Sequence, residues 1–213
     1  MKKILFFAAL VCGFALTSCE KDEIGGTATE SMAGQWYCTV DAVDDNGNPI
    51  TQTPDGSPNS GVDYFGVGRT LILTYNTASN SASEMWIDNM GIGNYAESYA
   101  DYWKSYGFFP SYTIKAKVTI DQSAMTFYST DSENFGEGYK WEDEDGNVFH
   151  EVKAMPVTID GKILKGAGRQ NNGSPADSII FYVKYKDDPW YPDDGYTKYK
   201  VSGIRYSGLE END

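Results

Sequence analysis

The chain has 213 residues, with 17 Lys and Arg against 31 Asp and Glu, and a formal net charge of −14 at neutral pH. A chain this acidic will not bind nucleic acid or anionic lipid head groups by bulk attraction. One histidine and three cysteines leave no multi-histidine metal site and little scope for a disulfide framework, and no cofactor motif stands out.

In chain order, Lys2 and Lys3 precede an apolar run from Ile4 to Leu16 that leads into Thr17, Ser18 and Cys19. A charged start, a short apolar middle and small residues before a cysteine predict a lipoprotein signal peptide over residues 1–18. The run is too short to span a bilayer. The segment resembles the lipobox of bacterial lipoproteins, which implies that Cys19 is acylated, becomes the mature N-terminus and anchors the protein through several acyl chains. Glu20 is followed by Lys21, Asp22 and Glu23, which resemble the acidic export tag of Gram-negative lipoproteins carried to the outer face of the outer membrane. The same residues read equally as a solvated acidic leader. Residues 19–32 have linker composition and are expected to form a flexible tether. Removal of residues 1–18 takes two lysines and no acid, leaving a mature charge of −16. It also removes Cys12, so with Cys19 lipidated Cys38 has no intrachain partner.

The expected domain covers residues 33–208, with a tail at 209–213, and strand patterns recur through it. Trp36, Cys38, Val40 and Ala42 alternate with Gln35, Tyr37, Thr39 and Asp41, the period of a strand with one buried face. Arg69 to Tyr75, Glu84 to Asp88, Ser111 to Asp121 and Met125 to Ser129 follow the same rule. Val148 to Ile159 continues it, with Pro156 requiring an edge or a bulge. Asp160-Gly161 has the chemistry of a hairpin turn before Lys162 to Ala167. Ser178 to Lys186 and Tyr196 to Tyr206 complete the set. About eight or nine strands with almost no helix predict an all-β fold, an antiparallel barrel or sandwich.

One stretch breaks the pattern. Tyr95, Tyr99, Tyr102, Trp103 and Tyr106 fall on one arc at helical spacing, with Asn94 and Glu97 in capping-box positions and Gly107 as a stop. The expectation is one short inserted helix, its rings either packed as core or lining a ligand pocket. Gly91 to Ala96 matches a dinucleotide-loop spacing, but no βαβ alternation follows it. Asp41 to Asn48 and Glu142 to Asn147 read as Asp/Asn-Gly turns, since neither puts an acid at the first ligand position of a calcium loop. Asp187, Asp188, Asp193 and Asp194 flank Pro189-Trp190-Tyr191-Pro192 and read as a solvated loop. There is no G-x-S-x-G elbow, and no carboxylate pair is singled out, so catalytic residues stay unassigned.

Gly34-Gln35-Trp36 at the head of the first strand resembles the G-x-W signature of lipocalins and the wider calycin barrels. In that fold an Arg of the last strand lies over the Trp, and Arg205 occupies such a place here. The resemblance implies an up-and-down barrel closed by Gly34, Trp36 and Arg205. Met32 to Tyr37, Thr74 to Ser81 with Glu84 to Asp88, and Lys115 to Asp121 resemble a family of anchored lipoproteins labelled "lipid-binding putative hydrolase". That likeness implies a lipid or other small hydrophobic ligand and carries no defined catalytic residues; the insert at 90–110 departs from the family's shorter connection. Three readings of function follow: a barrel for an apolar or amphipathic ligand, a surface accessory for glycans or proteins favoured by 16 Tyr and 5 Trp, and a hydrolase by family label.

Overall fold

The computed structural model describes residues 26–90, 112–188 and 190–208. Cys19, Lys21, Asp22, Glu23 and the aromatic stripe of Tyr95, Tyr99, Tyr102, Trp103 and Tyr106 lie outside the described residues.

The described residues form ten strands: β1 (Gly34–Val43), β2 (Thr70–Asn76), β3 (Glu84–Asp88), β4 (Lys115–Asp121), β5 (Thr126–Ser132), β6 (Tyr139–Glu142), β7 (Val148–Val152), β8 (Val157–Arg169), β9 (Pro175–Tyr185) and β10 (Lys198–Arg205). The described helix is a single turn, α1 (Tyr191–Asp194). Eight strands close into an antiparallel barrel in the order β1-β10-β9-β8-β5-β4-β3-β2, while β6 and β7 form a separate hairpin between β5 and β8. Closure satisfies every strand edge, which an open sheet of this length leaves exposed.

Alternation sets the core. In β4, Ala116, Val118 and Ile120 are buried while Lys115, Lys117, Thr119 and Asp121 are exposed. Trp36, Cys38, Val40, Ile87, Phe127, Ile159, Ile179, Phe181, Val183 and Val201 join them in one interior cluster. Cys38 behaves as a small apolar residue, and burial pushes its thiol up, away from reactivity.

Three expectations change. Asp160-Gly161 is not a turn: β8 runs straight through it, with Asp160 opposite Tyr182 and Gly161 opposite Phe181. The glycine is there for space, because a Cβ at 161 would run into Phe181 and the ring of Phe127. Turn chemistry and the need for a gap beneath two aromatic rings select the same residue. The run from Val148 to Ile159 is two strands, one pairing in the hairpin and one in the barrel, with Pro156 in the break. Residues within the expected tether are folded: Thr29 and Met32 are fully buried. Gln122 Nε2 donates to Ala28 O at 2.9 Å, and Ala28 N donates to Asn80 Oδ1 at 2.8 Å. Small polar composition reads as linker, but here it makes a turn that packs on the barrel.

The connections sort by end. β2–β3, β4–β5 and β8–β9 are joined by residues 77–83, 122–125 and 170–174 at the end where β1 begins. Residues 44–69, 89–114, 133–156 and 186–197 all leave from the opposite end. Short turns close one end; the strands joined by long connections end at the other.

Candidate functional site

At the short-turn end, β1 pairs with β10 so that Trp36 and Arg205 are direct partners. Arg205 Cζ lies 4.3 Å from the centre of the Trp36 ring, a cation–π contact of about 0.5–2 kcal/mol. Trp36 is fully buried, and its Nε1 donates to Thr74 Oγ1 at 2.9 Å. The Thr74 hydroxyl donates in turn to Met32 O at 2.7 Å. Arg205 donates from Nη1 to Ala33 O and pairs through Nε with Asp177 at 3.3 Å. Gly34 leaves room for this, since a Cβ there would meet the Arg205 guanidinium. Asp177 also accepts from Lys165 at 3.0 Å and from the Gly166 amide at 3.0 Å, tying a bulge of β8 to the same seal. This end is closed by packing and directional contacts together.

The long-loop end is built differently. Tyr185 ends β9 and Tyr199 begins the inward face of β10; Tyr64, Phe65, Tyr112, Tyr191 and Tyr196 come in from the connections. Their rings meet at centroid distances of 5.0–6.0 Å, mostly tilted or edge-on, the arrangement aromatic quadrupoles favour. The hydroxyls run into a chain. Tyr112 and Tyr199 donate to the two oxygens of Asp188 at 3.0 and 3.1 Å, and Tyr196 and Tyr199 share a 2.6 Å hydroxyl contact. Tyr64 donates to Asp194. Asp188 is 5 % exposed and also accepts from Trp190 N at 3.0 Å. Burial raises its pKa above the ordinary carboxylate range, against the pull of those three hydrogen bonds. The expectation of a solvated loop is therefore corrected at Asp188. The sequence shows four acids beside turn residues; it does not show that hydroxyls from residues 112 and 199 meet one of them.

Among the described residues, an inner void and an outer cleft adjoin this plug. Inside the barrel, Val40, Phe65, Ile72, Asn89, Tyr112, Ile114, Val183, Tyr185, Tyr199 and Val201 surround a void of about 10 Å³, room for about one water. On its outer side a cleft of about 540 Å³ is lined by Asp131, Thr158, Lys184, Tyr185, Lys186, Tyr191, Tyr196 and Thr197. Tyr185 belongs to both linings and is the wall between them. Its hydroxyl donates to Tyr112 O at 2.7 Å, and its amide donates to Tyr191 Oη at 2.7 Å.

The structure brings Gly34, Trp36 and Arg205 together. The stripe from Tyr95 to Tyr106 lies outside the described residues; among the described residues the rings that line the cleft are Tyr185, Tyr191 and Tyr196. Their signal was in the sequence, since Tyr185 and Tyr199 share the inward register of Val183 and Val201. What it lacked was the loop geometry that stacks Tyr191 and Tyr196 on them. Among the described residues no group of three His, Cys, Asp or Glu is placed to hold a metal ion.

No curated protein sequence matches the chain. A family model described as "Lipid-binding putative hydrolase" matches residues 21–210, which takes in the whole barrel, both of its ends and the cleft. A match of that extent on a calycin-like barrel places the chain in this lipid-binding family, and the protein belongs to it.

Proposed function

We propose that the protein is a lipoprotein, anchored in the outer membrane through acylated Cys19, whose barrel binds a lipid at its long-loop end. The observation that carries the binding reading is the position of Tyr185, between a barrel interior filled by its own side chains and an open cleft large enough for a ligand. A cavity of about 10 Å³ takes no acyl chain, so the ligand lies on the plug, along rings whose apolar faces suit a chain and whose hydroxyls suit water. The family supports a lipid as the ligand class. The lipobox spacing before Cys19 supports the anchor, and Lys21, Asp22 and Glu23 support export to the cell surface.

Tyr185→Ala tests the binding reading. Removing the wall should join the cleft to the barrel interior and raise the affinity for long-chain over short-chain amphiphiles, measured as displacement of a fluorescent fatty acid. Unchanged chain-length preference in a folded variant would place the ligand elsewhere. The anchor is tested separately: Cys19→Ala should abolish metabolic labelling with palmitate, and normal labelling would end the lipoprotein reading.

A further inference from the structure

The cleft outside the plug sets two lysines and one carboxylate beside aromatic rings. Two of its lining residues, Lys184 and Lys186, are exposed cations in a chain of net charge −14. Among the described residues neither forms an ion pair with a carboxylate, as Lys115, Lys117, Lys140 and Lys165 do; Lys153, Lys162, Lys198 and Lys200 are also without one, but none of those four lines this cleft. Thr197 Oγ1 lines the same cleft, is buried and has no hydrogen-bond partner. A buried hydroxyl without a partner is unfavourable, and a ligand acceptor is one way to satisfy it. Asp131 stands in the same lining, held at φ +44 in the bulge where β5 slips its register against β8. Its amide donates to Thr158 Oγ1 at 3.0 Å, and Thr158 is the strand partner of Lys184. Bulges of this kind re-aim a side chain at a site.

We infer that this cleft binds a single-chain amphiphile with an anionic head group, the head at Lys184, Lys186 and Thr197 Oγ1 and the chain along Tyr185, Tyr191 and Tyr196. This rests on the lipid-binding reading above and adds the chemistry of the head. Two free cations supply the attraction, one hydroxyl supplies a directional donor, and three rings bury the chain. Asp131 opposes an anion, which sets a sign for its removal. Asn at 131 keeps a backbone that tolerates positive φ while losing the charge.

The full chain, purified in a non-ionic detergent, is photolabelled with a diazirine-bearing dodecanoate and with the matching dodecanol, and the labelled peptides are mapped by mass spectrometry. Dodecanoate should label peptides of the cleft at concentrations about tenfold below the alcohol. Replacing both Lys184→Gln and Lys186→Gln, which are solvent-facing changes, should bring the two probes to parity. Thr197→Val should weaken dodecanoate labelling a few-fold and leave the alcohol unchanged, while Asp131→Asn should strengthen dodecanoate. Equal labelling by both probes, unaffected by the lysine changes, would overturn the head-group assignment and leave the lipid cleft standing. A loss on Asp131→Asn would mean a cationic group sits there, and a zwitterionic head would replace the anionic one. If neither probe labels the cleft, the lipid reading itself falls.

Discussion

The two ends of this barrel solve the same problem with different chemistry. At the short-turn end, Trp36 and Arg205 are strand partners, so closing the barrel places the guanidinium on the indole without further folding. At the other end, Tyr64, Phe65, Tyr112, Tyr191 and Tyr196 arrive from three separate connections and meet only when all are in place. The first is a seal fixed by register. The second is a plug of polar-tipped rings around a buried carboxylate, Asp188, whose desolvation works against folding.

The largest effect should separate the two directly. Trp36→Ala removes a fully buried indole and its hydrogen bond, and should cost about 3–5 kcal/mol in denaturant unfolding. Tyr191→Ala at the plug, where the ring is half-buried, should cost clearly less, about 1–2 kcal/mol. Equal costs would make the long-loop end as much a structural core as the seal, and the contrast would go.

A smaller effect sharpens the seal. Gly34→Ala pushes a methyl into the Arg205 guanidinium and should destabilise by about 1 kcal/mol, the range of a displaced cation–π contact. In an Arg205→Ala background the same change should be close to neutral, a coupling read from a double-mutant cycle. Additive costs would mean that Gly34 serves the backbone rather than the arginine.

The smallest effect belongs to the plug and depends on pH. Burial raises the Asp188 carboxyl above its ordinary value of 3.8, so the folded state holds that proton more tightly than the unfolded chain. The stability from this group is complete below 3.8 and is lost as pH rises through the raised value. Asp188→Asn has no such dependence. The unfolding free energy of the wild type relative to this variant should therefore fall as pH rises from 3.8, and a flat difference would show the carboxyl unshifted.

Whatever strand register controls was legible from residue order. Alternation located the strands of the closed barrel; the Trp36–Arg205 pair came from the resemblance to the calycin G-x-W signature, and the structure places Arg205 over that ring. Where one residue type serves two physical ends, the reading failed. Gly161 was a turn by propensity and is a gap beneath Phe127 and Phe181; Asp188 was a surface acid by composition and is a buried acceptor. The cleft was illegible for a related reason. Lys184, Thr197 and Asp131 are far apart in the chain, and only the bulge of β5 and the end of β9 bring them to one lining.

The turn that packs Thr29 and Met32 against the seal has a bearing on orientation. On the proposal that Cys19 is the anchor, residues 20–25 lie between it and Gly26, the first described residue, and that length of chain can reach at most about 25 Å. The described chain begins at the Trp36 end. On that proposal the seal would face the bilayer, and Tyr185 and the cleft would face away from it. A ligand for that cleft would then come from the surroundings or from an apposed surface, rather than from the membrane beneath the anchor.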